Sequence, residues 1–134
     1  MGEQLRFVTT AESRRDDVPW GVNEWLCSGE LCEADKLALV RVHIPPGHGH
    51  SFHRHPHMEE IIYVVSGECE QWVGQEQRRL SAGEMAHIPT NMVHASFNTT
   101  SEPLVLLAIL SPASGPEPMT VDVYDESPWN ALRS

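Results

Sequence analysis

The sequence is poor in basic residues, and this shortage excludes two classes of partner. Nine Lys and Arg stand against nineteen Asp and Glu, which gives a formal net charge of −10 at pH 7. Such a balance repels the phosphate backbones of nucleic acids and the anionic surfaces of lipid membranes. We therefore expect neither nucleic acid nor a membrane as a partner.

Long apolar runs are also missing. The longest, Leu104 to Leu110, has seven residues, whereas a membrane-spanning helix needs about 20. Residues 1–10 lack the basic start and apolar stretch of an export signal. These two observations predict a cytoplasmic protein.

Cysteine is scarce, with Cys27, Cys32 and Cys69 as the three examples. Three thiols cannot all pair within one chain, which favours a reducing compartment over a disulfide scaffold. We interpret them as small buried thiols. A bridge or redox pair between Cys27 and Cys32 stays open as an alternative.

The length and composition predict one globular domain. A chain of 134 residues with 40% hydrophobic residues closes around a single core. We place the core of this domain at about residues 36–111. The more polar N-terminal arm (residues 1–35) and the Pro-rich C-terminal arm (residues 112–134) flank it.

The core consists of short apolar segments separated by turn residues, a pattern typical of an all-β protein. We expect Glu60 to Val65 and Glu68 to Val73 to form an antiparallel hairpin around Ser66-Gly67. Closed barrels and two-sheet jelly rolls both limit exposed edges, so either architecture fits. The remaining predicted strands are Lys36 to Ile44, Gln77 to Leu80, Met85 to Ile88, Val93 to Asn98 and Leu104 to Ser111.

Both arms contain tryptophan, which predicts that they pack onto the barrel or onto a second subunit. Trp20 and Trp25 lie in the N-terminal arm and Trp129 in the C-terminal arm. Residues 127–132 read as a short helix with Ser127 as its N-cap and Pro128 at its first position.

Histidine is abundant, and its spacing predicts a metal site. His53 and His55 are two residues apart, so an extended segment presents both imidazoles on one face. Carboxylates follow at Glu59 and Glu60, and an isolated His94 lies far downstream. Imidazole nitrogens with one carboxylate suit a divalent transition metal (Fe, Mn, Ni, Cu or Zn) better than calcium or magnesium. Five of the eight histidines fall within ten residues: His48, His50, His53, His55 and His57.

Two spaced motifs resemble those of the cupin superfamily. Gly47, five residues, His53-Arg54-His55, four residues, Glu60, six residues and Gly67 match the first motif. Gly83, five residues, Pro89, four residues, His94, three residues and Asn98 match the second. The resemblance implies a double-stranded β-helix (jelly-roll, cupin barrel), often dimeric. It also implies a metal near one end of the barrel, held by His53, His55, Glu60 and His94.

Several neighbouring residues compete for the same roles. Glu59 competes with Glu60, and the six-residue interval to Gly67 favours Glu60. We interpret His57 as a rim residue, and His48 and His50 as loop residues exposed to solvent. Arg41 and Arg54 are expected at the surface, because Arg54 alternates with its two histidine neighbours.

A site with three imidazoles and one carboxylate leaves positions for water, a chelating substrate or dioxygen. This predicts a metal-dependent oxidoreductase of dioxygenase type acting on a small oxygenated organic molecule, with Glu60 also serving as a catalytic base. A non-catalytic binding or sensing module and a metal-dependent isomerase or lyase are the alternatives. The pocket walls are expected among Ile62, Val64, Met85, Ile88, Met92, Ser96 and Leu106.

Overall fold

The computed structural model describes residues 4–133, and these residues confirm the all-β prediction. They contain eleven strands, one four-residue helix at Gly29–Cys32 (α1) and one 3-10 turn at Trp129–Ala131. The strands are β1 (Arg14–Val18), β2 (Gly21–Cys27), β3 (Ala38–Ile44), β4 (Gly49–Arg54), β5 (Glu59–Ser66), β6 (Glu68–Val73), β7 (Glu76–Ser81), β8 (Met85–Ile88), β9 (His94–Phe97), β10 (Leu104–Ser111) and β11 (Val121–Asp122).

The strands form two facing antiparallel sheets. The six-stranded sheet has the order β1-β2-β3-β10-β5-β8, and the five-stranded sheet has the order β11-β4-β9-β6-β7. Neighbours in these orders are mostly distant in sequence, as β3 and β10 show. This is the two-sheet jelly-roll form of the predicted β-helix.

The main hydrophobic core lies between the sheets, and strict alternation in β3 and β10 builds much of it. Every second residue of each strand is buried, including Val40 and Ile44 on β3 and Leu104 and Leu106 on β10. Full burial of one such side chain stabilises the fold by about 1.5–3 kcal/mol. The period of two therefore fixes which side of the six-stranded sheet faces inward.

The predicted hairpin between residues 60–65 and 68–73 is wrong. Strand β5 pairs with β10 and β8, whereas β6 pairs with β7 and β9 in the other sheet. The turn at Ser66-Gly67 thus carries the chain from one sheet to the other. Gly67 has a φ of +85°, and a Cβ there would lie 2.5 Å from the Pro103 carbonyl oxygen, so the crossing needs glycine.

The N-terminal arm contributes more structure than the sequence predicted. Its residues form β1 and β2, which extend the six-stranded sheet beyond β3. Trp20 and Trp25 pack against the main core cluster. Residues 1–3 of this predicted arm lie outside the described residues.

The C-terminal arm packs on the outside of the five-stranded sheet. Val123 and Trp129 join Phe52 and Trp72 in a second hydrophobic cluster. The predicted tryptophan packing is thus met within one chain, and the expected homodimer stays a prediction. Ser134 lies outside the described residues.

The one or two helical turns predicted at residues 127–132 are present as a single 3-10 turn, Trp129–Ala131. The predicted cap is wrong, because Pro128 is the N-cap residue and no side chain makes a capping hydrogen bond there. The Trp129 ring lies 5.7 Å from the Phe52 ring, between centroids.

Within residues 4–133, no helix has both the length and the apolar character needed to cross a membrane. Within these described residues, none of the three cysteines forms a disulfide; Cys69 is buried, and Cys27 and Cys32 are half-buried.

Candidate metal centre

Three histidines converge at one end of the barrel, where β4 and β9 lie side by side. His53 and His94 are register partners across these two strands, and His55 follows the end of β4. One ring nitrogen from each of the three lies within 4.8 Å of the others. His53 and His94 are buried, and His55 is half-buried.

Backbone carbonyls fix the tautomer of each imidazole. The Nδ1 of His53 lies 2.7 Å from the Ser51 oxygen, and the Nδ1 of His94 lies 3.0 Å from the Met92 oxygen. The Nδ1 of His55 lies 3.0 Å from the Met119 oxygen in the C-terminal arm. A carbonyl only accepts, so each Nδ1 carries the proton and each neutral ring keeps a lone pair on Nε2.

Glu60 completes the cluster from the start of β5. Its Oε1 lies 3.3 Å from the His55 Nε2 and 2.9 Å from the His94 Nε2. Among the described residues, the Glu60 Oε1 and the His94 Nε2 are buried atoms without a hydrogen-bond partner. Two lone pairs thus face each other inside the protein, an arrangement that costs free energy unless a cation lies between them.

These orphaned atoms show that the residues fit a metal. Three imidazole lone pairs and one carboxylate oxygen form a donor set suited to a divalent transition ion. The backbone carbonyls of Ser51, Met92 and Met119 hold the three imidazole rings in the orientation that metal binding needs.

The pKa values of Glu60, His55 and His53 are shifted by burial and by the contacts within this cluster. Burial would raise the pKa of Glu60, but its contacts with His55 and His94 outweigh burial and lower it to about 2. Burial opposes the charged form of His55, yet the adjacent carboxylate raises the pKa of its imidazole. Burial lowers the pKa of His53 well below its usual value. The site therefore attracts positive charge mainly through Glu60.

Glu59 lies away from the three histidines. It is exposed, and its Oε2 lies 2.5 Å from the His87 Nε2 on the outer face of the sheet. Successive residues of a strand point to opposite faces, so β5 presents only Glu60 to the cluster.

The expectation that His50 is a solvent-exposed loop residue is wrong. It lies in β4 and stacks between Trp20 and His53, at centroid distances of 4.3 and 3.6 Å. Burial lowers the pKa of His50 to about 3. Strand β4 begins at Gly49, so His50 belongs to the strand, and its ring lines the cavity. His48 and His57 are exposed.

A cavity of about 140 Å³ opens beside the histidines between the two sheets. Ile62, Ser96 and Leu106 line it as predicted, whereas Met85 and Met92 are exposed. Val64 and Ile88 lie in the core outside the cavity lining.

The sequence did not predict the part that the arms play in this cavity. Trp20, Asn23 and Trp25 line it from the N-terminal arm, and Thr120 lines it from the C-terminal arm. The Thr120 hydroxyl also lies 3.2 Å from the His55 Nδ1. No motif marks these residues, because the topology alone brings them to the site.

Arg41 and Arg54 point away from the cluster, as expected. Arg41 pairs with Glu24 on the outer face of the sheet, 3.1 Å away. Arg54 donates to the Asn91 side chain at 2.9 Å on the exposed surface.

Comparison with known proteins places this chain in a family. The family model of the cupin domain matches residues 40–110, which is more than half of the 134-residue chain. Polyketide synthase CurC of Streptomyces cyaneus is 36% identical over 92 residues. The matched region covers 69% of this chain and 56% of CurC, so the chain spans little more than half of that relative.

Two solved structures share the fold. KdgF from Halomonas sp. aligns with a TM-score of 0.72 and 24% identity, covering 83% of this chain and 96% of KdgF. Bacillus subtilis oxalate decarboxylase, studied for its Mn(II) centres, aligns with a TM-score of 0.72 and 23% identity. That alignment covers 85% of this chain and 31% of the decarboxylase.

Proposed function

The chain belongs to the cupin family, and on that premise we propose that it is a metal-dependent enzyme acting on a small oxygenated organic molecule by dioxygenase-type chemistry. The observation that carries the proposal is the buried Oε1 of Glu60 facing the His94 Nε2 lone pair without a hydrogen bond. With neutral imidazoles both atoms are unsatisfied, whereas a metal cation between them satisfies both.

His53, His55, His94 and Glu60 would hold the ion. When bound, a divalent transition metal supplies Lewis acidity toward a chelated substrate oxygen and, for iron or manganese, redox chemistry with dioxygen. The fold neighbour that was studied for its Mn(II) centres supports a metal of this class.

The chain's own residues orient and protect the reactants. The carbonyls of Ser51, Met92 and Met119 hold the three rings. The apolar cavity between the sheets receives the substrate and limits water around it.

Glu60 is the candidate base for a substrate hydroxyl proton. Its low pKa keeps the carboxylate ionised at neutral pH, so it is a weak base while both histidines contact it.

Oxygen consumption by protein loaded separately with iron, manganese, nickel or copper tests the reaction class. We expect uptake with at least one of a panel of diketones, flavonols and catechols. His94→Ala, measured in parallel, is expected to show no uptake and no bound metal.

The alternatives give different outcomes in the same assay. Substrate turnover without oxygen uptake would identify an isomerase or lyase. Ligand binding with no turnover by any loaded form would identify a binding or sensing module, and would overturn the enzymatic proposal.

A further inference from the structure

The cavity next to the histidines contains no cationic side chain. Among residues 4–133, no Lys or Arg lines it. Arg41 is engaged with Glu24, and Arg54 with Asn91, on outer surfaces. Lys36 pairs with Asp35 at 3.3 Å, and both side chains are exposed. A carboxylate or phosphate on the distal part of a ligand inside the cavity would therefore meet no Lys or Arg among the described residues that line it.

The charge of the metal centre allows only one negative charge on the ligand. Three neutral imidazoles and the Glu60 carboxylate around a divalent ion leave a single net positive charge. One ionised chelating oxygen neutralises it. A second anionic group inside the cavity would meet apolar side chains and the neutral polar groups of Asn23, Ser96 and Thr120, without a compensating charge, which is unfavourable.

The cavity also limits the size and shape of a ligand. Its volume of about 140 Å³ is close to the ~150 Å³ apolar cavity that accepts one benzene ring. Val40, Val42, Leu106 and Ala108 are among its apolar walls. This space holds one ring beside the histidines, and a second fused ring would have to extend through the mouth.

Three aromatic rings, those of Trp20, His50 and His53, stack on one another beside the cavity. The Trp20 ring stacks on His50 with an interplanar angle of 14°, and His50 stacks on His53 with an angle of 11°. Within the described residues, His50 makes no side-chain hydrogen bond, so its ring nitrogens are available to a ligand in the cavity. Trp20 and His53 cover the two faces of His50, so a planar ligand meets the edge of this ring, and edge-to-face contact is a favoured arrangement of aromatic pairs.

We propose, resting on the metal-dependent function above, that the ligand is a single planar ring with adjacent chelating oxygens and no carboxylate, sulfonate or phosphate group. Trp20, Trp25 and His50 are the residues that select for it, through shape and aromatic contact. The lack of a cationic side chain selects against the acidic analogue.

Zinc-loaded protein tests the selection without redox turnover. Catechol and 3,4-dihydroxybenzoate share the same chelating pair and differ by one carboxylate. We expect catechol to bind at least about tenfold more tightly by calorimetry, after each value is corrected for the ligand's affinity for zinc in water. Quenching of tryptophan fluorescence gives a second readout, because Trp20 and Trp25 line the cavity.

Two lysine variants separate local from overall charge. Asn23→Lys adds a cation to the cavity wall, and we expect it to strengthen dihydroxybenzoate binding about tenfold. Ser101→Lys adds the same charge at an exposed position outside the cavity lining and is expected to change neither affinity by more than about twofold.

Trp20→Leu is expected to weaken catechol binding about tenfold while zinc content stays unchanged.

The bicyclic 2,3-dihydroxynaphthalene tests size and should bind at least about fivefold more weakly than catechol. Equal or tighter binding of the carboxylated or bicyclic ligand to zinc-loaded protein overturns the inference, as does undetectable binding of catechol. Catechol selectivity without oxygen uptake would leave the inference standing and overturn the proposed reaction. Failure to bind zinc would overturn both.

Discussion

Two buried carboxylates, Glu24 and Glu60, show how differently one protein uses the same group. Both are almost fully buried, at 1% and 5% exposure. The Oε1 of Glu24 accepts from the Arg41 guanidinium at 3.1 Å and lies 3.0 Å from the His43 Nε2, and its Oε2 accepts from the Ser13 hydroxyl at 2.9 Å. Every side of Glu24 meets a donor.

Glu60 meets acceptors instead. His55 and His94 already donate their Nδ1 protons to backbone carbonyls, so their Nε2 atoms present lone pairs to the carboxylate. The pKa is lowered to about 2 for both acids. For Glu24 the hydrogen bond from His43 is the largest cause. For Glu60 burial raises the pKa, and the net lowering requires a proton on the Nε2 of His55 or His94 that can be donated to the carboxylate. A buried carboxylate among donors stabilises the fold, and one among lone pairs marks a cation site.

The largest expected effect is the loss of bound metal when a histidine of the Glu60 cluster is removed, whereas a change at Glu24 should leave the metal content unaltered. His94→Ala or His53→Ala should reduce bound metal from one equivalent to nearly none, because each removes a buried ligand. Metal at 1,000 times its Kd stabilises the wild type by about 4 kcal/mol, and the variants should lose that gain. Elemental analysis and thermal unfolding with and without metal measure both. Glu24→Gln is the control, and equal metal loss in that variant would contradict the distinction.

In the metal-free protein, the change at Glu24 should lower the free energy of unfolding more than the change at Glu60. Glu24→Gln should lower the free energy of unfolding by about 2–3 kcal/mol, since it leaves Arg41 and His43 without their anion. Glu60→Gln should change it by less than about 1 kcal/mol, since a neutral amide can donate to a lone-pair nitrogen. Chemical denaturation in the presence of a chelator measures both variants. A larger loss in Glu60→Gln would show that Glu60 is satisfied without a metal.

Acidification should affect the two sites in separate pH windows. Metal should leave as the pH falls below about 6, because protons compete for imidazole nitrogens whose free pKa is about 6.5. Glu24 has a folded pKa of about 2 against 4.5 for the free group, so its contribution is complete above pH 4.5 and is lost toward pH 2. That contribution is about 3 kcal/mol at most. Metal content and denaturation measured from pH 7 to 3 test this, and metal retained at pH 4.5 would contradict a mainly imidazole site.

Removing the Ser13 hydroxyl beside Glu24, or the Thr120 hydroxyl beside His55, should give the smallest effects. Ser13→Ala should cost about 1 kcal/mol of stability, since it removes one donor to Glu24. Thr120→Val should weaken metal binding only a fewfold, because the Met119 carbonyl still holds the His55 Nδ1. Metal titration and denaturation of both variants measure these effects. Weaker metal binding in Ser13→Ala would contradict the assignment of Ser13 to a site that does not bind metal.

The convergence of the nominated residues was predictable because motif spacing carries part of their geometry. His53 and His55 share a face of an extended chain, and the second motif nominates His94. The structure brings these three histidines together, with Glu60 next to His55 and His94. The inward side of β10 was not predictable, because Leu104 to Leu110 is apolar at every position, and only burial in the structure reveals the alternation. The predicted hairpin at Ser66-Gly67 failed, because a turn signal gives a reversal but not the sheet that receives the next strand.

The sequence by itself determined the all-β class, most strands of residues 36–111, the excess of negative charge and the candidate ligands, since these depend on residue type and on local spacing. Only the tertiary structure decided that Met119 and Thr120 hold His55, that Trp20 and His50 wall the cavity, and that Glu24 rather than Glu60 is surrounded by donors. These contacts join segments up to 65 residues apart. The pairing of strands across two sheets sets such distances, and no local pattern records it.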